Sequence, residues 1–293
     1  MLPPRASRHP VATGLSLNVL EWGAEDASRA HTVVLVHGFL DLAWGWEATV
    51  SAGLGDGLHV VAPDLRGHGE SDRVGTGGYY HFMDYVADLA SLVERLGRDQ
   101  VSLVGHSMGG SVCSYLAGAF PDRFRRLALL EGLGPPEDDG PLGDRLRTWM
   151  AGWQRMRERP PKLYPTVEAA AERMRDADPL LDAALALDLA RKSTACVEGG
   201  VVFRHDPIHL TRAPYPFRFE AARELWAGIE CPVLHVDGSE SPLLAMEAEV
   251  ERRLACFRVV RRARIEGAGH MMQRHRPGEV AGVLRDFLEQ SAP

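Results

Sequence analysis

The chain has 293 residues, 45% hydrophobic and 25% charged, a composition that suits one large α/β domain with a sizeable buried core. Its formal net charge of −7, with no dense basic block, argues against nucleic acid or an anionic membrane surface as partner. No apolar run is long enough to span a bilayer, and Cys113, Cys196, Cys231 and Cys256 form no C-x-x-C pair, so neither a transmembrane helix nor a disulfide framework is expected. The first residues, Met1-Leu2-Pro3-Pro4-Arg5, lack the apolar stretch of a secretory signal, and the expected location is cytoplasmic.

In chain order, Leu15–Val19 alternates apolar and polar residues, as a half-buried strand does. Thr32–Val36, His59–Ala62, Ser102–Val104, Leu127–Leu130 and Pro232–Val236 are continuous apolar runs of the kind buried on both faces of a parallel sheet. Val259–Ile265 reads as the last strand, its Arg261-Arg262-Ala263-Arg264 run as alternating exposure. Between these runs, Asp84–Leu96, Ser111–Ala119 and Pro277–Leu288 read as helices. The alternation stops between about Gly134 and Glu230. There Asp144–Glu158, a segment capped by Thr166, Pro179–Lys192 and Phe219–Gly228 read as helices with no strand among them. The expected organisation is a core of residues 1–134 and 230–293, with a helical cap, 135–229, lying over the strand ends.

Residues Gly105-His106-Ser107-Met108-Gly109 form a G-x-S-x-G pattern between a strand-like run and a helix. In that context the pattern marks a nucleophile elbow, a tight turn that lifts one serine hydroxyl above the sheet. Glycines two positions away on each side leave room for the turn, and the following helix aims its free N–H groups at developing negative charge. His37-Gly38-Phe39, after another strand, can offer the Phe39 N–H, which with the Met108 N–H makes a two-donor oxyanion hole. Gly267-Ala268-Gly269-His270 places an imidazole on a glycine loop late in the chain, matching the order nucleophile, acid, histidine. A serine needs such a base to take its proton. Asp64–Asp72, polar and glycine-rich, reads as a structural loop whose charges pair with one another. In His205-Asp206-Pro207-Ile208-His209, Pro207 breaks the helix that an i, i+4 pair of metal ligands needs. No metal or cofactor is expected.

The runs HGF, DLRGHGESD, GHSMGG and GAGH together resemble the α/β-hydrolase fold superfamily, over nearly the whole chain outside the cap. Leu130–Pro136 and the cap further resemble its serine-hydrolase-like group. The resemblance implies a mostly parallel eight-stranded sheet, a helical cap after the sixth strand, and a triad with Ser107 as nucleophile, His270 as base, and Phe39 and Met108 as oxyanion donors. Epoxide hydrolases and dehalogenases of the superfamily carry an aspartate at the elbow, so Ser107 speaks against both chemistries.

The chain departs from the superfamily at the acid. The usual G-x-x-D turn after the seventh strand reads Gly238-Ser239-Glu240-Ser241, with Ser241 where aspartate is expected. Glu131, at the end of the sixth strand, is the favoured acid, ahead of Glu240 and Asp237. The expected function is a serine hydrolase that cleaves an ester of a small, fairly apolar molecule through an acyl-enzyme. Carbon–carbon bond hydrolysis or lactonase activity would use the same residues, and a non-catalytic small-molecule-binding protein is the alternative from another class. Trp149, Trp153, Met150, Met156 and Phe203, with Trp44 and Trp46, are expected to supply apolar pocket walls.

Overall fold

Apolar, β-branched runs become the strands of one mixed sheet. The computed structural model describes residues 3–23, 31–98, 101–138 and 140–290. Its strands are β1 (Arg5–Pro10), β2 (Ser16–Trp22), β3 (His31–Val36), β4 (Leu58–Pro63), β5 (Val101–His106), β6 (Phe124–Leu130), β7 (Thr194–Val197), β8 (Gly200–Phe203), β9 (Val233–Gly238) and β10 (Val260–Ile265). Eight of them form the main sheet in the order β1-β2-β4-β3-β5-β6-β9-β10, and β7 and β8 form a separate pair. β2 runs antiparallel to β1 and β4; the remaining neighbours are parallel. Every residue of β4, β5 and β9 is buried, as the continuous apolar runs require of strands covered on both faces.

On one face, Val34, Leu103 and Leu127 pack against Leu89 and Leu92 of the helix Phe82–Arg95 and Val112 and Leu116 of the helix Met108–Ala119. On the other, Leu35, Val104 and Leu234 meet Val280, Leu284 and Phe287 of the helix Pro277–Glu289. Each fully buried leucine or valine contributes about 1.5–3 kcal/mol relative to exposure. The strand order turns back between β3 and β5. Register sets Val36 opposite Gly105, and Leu130 opposite Val236. The chain therefore leaves β3, β5, β6 and β9 at one edge of the sheet, where crevices of open α/β sheets bind ligands.

Between β6 and β9 run the helices Leu142–Glu158, Val167–Ala177, Ala183–Ser193 and Phe219–Gly228. Thr166 caps the second by accepting the Ala169 N–H at 3.1 Å. Two strand features differ from expectation. β1 was not foreseen, because Arg5–Pro10 is a mostly exposed edge strand without apolar alternation. The segment between β6 and β9 is not strand-free, since β7 and β8 pair across the turn Val197–Gly200. Gly199 and Gly200 both have positive φ there, so the glycine pair between valine-containing runs was the hairpin signal. Among the described residues, no helix is long and apolar enough to cross a membrane.

Candidate active site

Ser107 sits on the turn between β5 and the helix Met108–Ala119 with φ 52° and ψ −120°, a conformation that L-residues rarely hold. The flanking glycines follow from packing. A Cβ on Gly105 would stand 2.5 Å from the Gly109 carbonyl oxygen, and one on Gly109 would run into the Val36 and His37 carbonyls. Gly38 is equally constrained, because its Cβ would lie 2.8 Å from His106 Nδ1 and 3.1 Å from Ser107 Cβ. The His37-Gly38-Phe39 turn is thus pressed directly against the elbow. No hydrogen bond engages the Phe39 or Met108 N–H among the described residues.

The His37-Gly38-Phe39 turn is braced by two imidazoles. His37 accepts the Leu65 N–H at Nε2, 2.9 Å, and donates from Nδ1 to the Gly38 carbonyl, 2.7 Å. His68 accepts the Leu40 N–H at 3.2 Å and donates to the Arg66 carbonyl at 3.0 Å. Burial holds the His68 pKa well below its ordinary value, which keeps the ring neutral and able to accept. Asp64 bonds to the Ala43 and Glu70 amides and the Asn18 side chain, while Arg66 pairs with buried Asp88 at 2.6 Å. The loop's charges therefore hold backbone and a neighbouring helix rather than one another, correcting the expected internal pairing.

His270 lies on the loop after β10, and its Nδ1–H donates to Glu131 Oε2 at 2.6 Å. Glu131 follows β6 with φ 47° and also accepts the Gly238 N–H at 2.9 Å and the Ser241 hydroxyl at 2.8 Å. Burial pushes the Glu131 pKa up, but the bonds from His270, Gly238 and Ser241 outweigh it, leaving the carboxyl below its ordinary value and ionised. Ser241, at the position where the superfamily usually holds its acid, donates its hydroxyl to Glu131. The other two acids are elsewhere. Asp237 bonds to His235 and to Arg262, each at 2.8 Å, and these partners overcome burial to hold its pKa at about 2. Glu240 lines the cavity described below without a side-chain bond to His270. Ser107 Oγ and the His270 ring form no hydrogen bond in this structure; such contacts often tighten only once substrate binds.

Two residues the sequence did not single out complete the arrangement. His106, buried beside Ser107, donates from Nε2 to the His270 carbonyl at 2.8 Å, and the two rings lie 4.7 Å apart. Burial brings the His106 pKa to about 3, so it is a neutral donor at pH 7. Buried Asp41 pairs with Arg274, tying the segment after the His37-Gly38-Phe39 turn to the segment after His270. Nothing in a single sequence marks either, since both act through contacts between distant segments.

A cavity of about 890 Å³ has Phe39 and His270 on its walls, and Ser107 is half-buried on the turn packed against Gly38. Met156 and Phe203 line it as expected. Trp46 is buried in the core, Trp44 stacks under Lys192, and Trp149 and Trp153 pack edge-on against Tyr79. Met150 is exposed. These five do not line the cavity: the helix Leu142–Glu158 turns its tryptophans toward Tyr79 and only Met156 inward. His209 stacks on His68 at 4.2 Å, and Asp206 accepts the Tyr80 hydroxyl at 2.8 Å, so the His205–His209 segment packs on the loop that follows β4. No group of metal-binding side chains occurs among the described residues.

The profile of a family described as "alpha/beta hydrolase fold" matches residues 31–164. A serine hydrolase-like protein of Danio rerio is 28% identical over 98% of this chain and 89% of its own length. A 2-hydroxy-6-oxo-2,4-heptadienoate hydrolase of Pseudomonas putida is 38% identical, over 39% of this chain and 42% of its own. Epoxide hydrolase A of Mycobacterium tuberculosis is 26% identical over 94% of both chains. Among solved structures, a hypothetical protein from Pseudomonas aeruginosa superposes with a TM-score of 0.85 at 28% identity, covering 99% of this chain and 100% of that one. The thioesterase domain from a curacin biosynthetic pathway gives 0.84 at 25% identity, covering 97% and 100%. Sheet order, elbow and relatives agree: the chain has the α/β-hydrolase fold.

Proposed function

We propose that the protein is a serine hydrolase that cleaves carboxylic esters of small, fairly apolar molecules, with Ser107, His270 and Glu131 as its triad and residues 135–229 as its cap. The observation that carries this reading is the 2.6 Å bond from His270 Nδ1 to a buried, ionised Glu131, on a histidine whose other nitrogen is left to serve a nucleophile. Ser107 Oγ attacks the carbonyl carbon while His270 Nε2 takes its proton. The resulting oxyanion accepts bonds from the Phe39 and Met108 amides, each such donor contributing about 2.7–4 kcal/mol to the transition state. The imidazolium then gives its proton to the departing alkoxide oxygen as the ester C–O bond breaks. Water, deprotonated by His270, releases the acid from the acyl-enzyme. Glu131 fixes the tautomer and stabilises the imidazolium.

Ser107 favours this chemistry over epoxide opening, which requires an elbow carboxylate to form an alkyl-enzyme ester. The partial likeness to a heptadienoate hydrolase supports carbon–carbon cleavage as the second reading, with the same residues. Labelling with a fluorophosphonate, followed by p-nitrophenyl esters of increasing chain length, tests the proposal. Labelling of wild type but not Ser107→Ala, with turnover of short and medium esters, is the expected result. Absence of labelling would instead favour a binding protein on this fold.

A further inference from the structure

The cavity lining is chemically mixed. Met156, Tyr164, Met174 and Phe203 supply apolar wall, and His270 and Phe39 come from the loops that follow β10 and β3. The side formed by the segment 135–229 carries Arg159, Lys162 and Arg173. None of these three makes an ion pair among the described residues, whereas the other lining charges are largely matched. Arg274 pairs with Asp41, Arg204 with Glu70 and Asp178 with His275. Glu240 is left as the one lining carboxylate without a partner. Three unmatched cations against the carboxylates of Glu240 and of Asp178, which is hydrogen-bonded to His275, is a local positive excess in a chain whose net charge is −7.

The cations also sit on stiff supports. Arg159 is followed by Pro160 and Pro161, which fix φ, and Tyr164 bridges to Val201 of β8. Lys162 lies over the ring of buried Tyr164 at 5.0 Å. Arg173 projects from the helix Val167–Ala177. The three side chains are exposed, and cations lining a cavity with apolar walls suit a ligand with an anion at one end.

We propose that this cavity takes esters whose end remote from the scissile carbonyl bears a carboxylate or phosphate, held by Arg159, Lys162 and Arg173. The inference rests on the hydrolase reading and sharpens it. The anion can belong to the acyl part or to the alcohol part, and two matched substrate pairs separate these. One pair is the p-nitrophenyl half-ester of adipic acid against its methyl-capped neutral twin. The other is the acetate ester of 6-hydroxyhexyl phosphate against that of 1,6-hexanediol.

The readout is the ratio of kcat/KM, anionic over neutral, at low salt. Wild type is expected to show a ratio of about ten for one pair, the order of magnitude for three partly solvated charge contacts. The ratio should fall toward one in an Arg159→Gln/Lys162→Gln/Arg173→Gln variant and in wild type at high salt, and stay unchanged in Arg155→Gln, an exposed arginine off the cavity. A ratio near one for both pairs in wild type, or a preference that survives the triple substitution, overturns the proposal and leaves the hydrolase reading intact. If no ester is cleaved, calorimetric titration with adipate and with inorganic phosphate decides. Binding that the triple variant loses keeps the site and discards the hydrolase reading, while absence of binding discards both.

Discussion

The helix Met108–Ala119 buries nine of its twelve residues, whereas the longer helix Leu142–Glu158 buries only Gly152. That contrast separates two regions. Around the elbow, backbone meets backbone so closely that Gly105, Gly109, Gly110 and Gly132 admit no side chain. The segment 135–229 has a small core of its own in which Ala170, Ala171, Ala186 and Ala190 supply half of the buried members. The difference teaches where each duty can sit. Charge stabilisation needs donors fixed to within a fraction of an ångström, and only the dense sheet edge provides that. Under the proposed function, substrate choice needs surface that changes without disturbing the sheet, a condition the sparsely buried segment meets.

The largest expected effects break the dense side. Ser107→Ala should fold normally yet lose essentially all ester turnover. Glu131→Gln should reduce kcat by about 10⁴, as tautomer control is lost. Glu240→Gln should cost only a few-fold in the same p-nitrophenyl ester assay. Adding Ser241→Asp to Glu131→Gln should recover part of the rate, since Ser241 Oγ lies 2.8 Å from the Glu131 carboxylate. No recovery, with a crystal structure of the double variant showing the introduced carboxylate bonded to His270, would mean that the acid's position matters beyond its charge.

On the other side, Phe203→Ala and Met156→Ala should shift chain-length preference by up to about tenfold while short-ester turnover changes less. Trp149→Ala should leave the profile alone and lower stability by on the order of 2 kcal/mol, since Trp149 packs on Tyr79 and Trp153 rather than on ligand. Equal effects of the two kinds of substitution on the profile would erase the distinction between the regions.

A smaller effect concerns Asp237. Its carboxyl is held down from the ordinary 3.8 to about 2, so the stabilisation by His235 and Arg262 is complete above about pH 4 and fades as pH falls through about 2. Asp237→Asn should therefore lower Tm by a few degrees at pH 7, with the deficit shrinking between pH 4 and pH 2. A deficit constant with pH would assign the loss to packing.

Seven sheet strands and the elbow were legible in the sequence because apolar runs and glycine spacing are local signals. Glu131 was reached through an absence, since a serine at position 241 sends the search for an acid to the neighbouring strand end, and its bond to His270 supports it as the proposed acid. The roles of His106, Asp41 and Arg274 were not, because each depends on contacts between segments far apart in the chain. The tryptophans misled for a related reason. Composition identifies them as apolar bulk, but only the rotation of the helix Leu142–Glu158 decides that they meet Tyr79 and Met156 meets the cavity.

The bond between Ser241 and Glu131 has a consequence for how such a site can change over generations. Residues 110 positions apart in the chain stand one hydrogen bond from each other because β6 and β9 are neighbours. A lineage moving its acid from one strand end to the other must pass through a chain with both acids or with neither. With neither, the histidine loses its orienting partner. With both, two carboxyls crowd one hydrogen bond and share a proton, so one of them titrates at raised pH. Ser241→Asp on the present background recreates that intermediate, and its rate should depend on pH where the parent's does not.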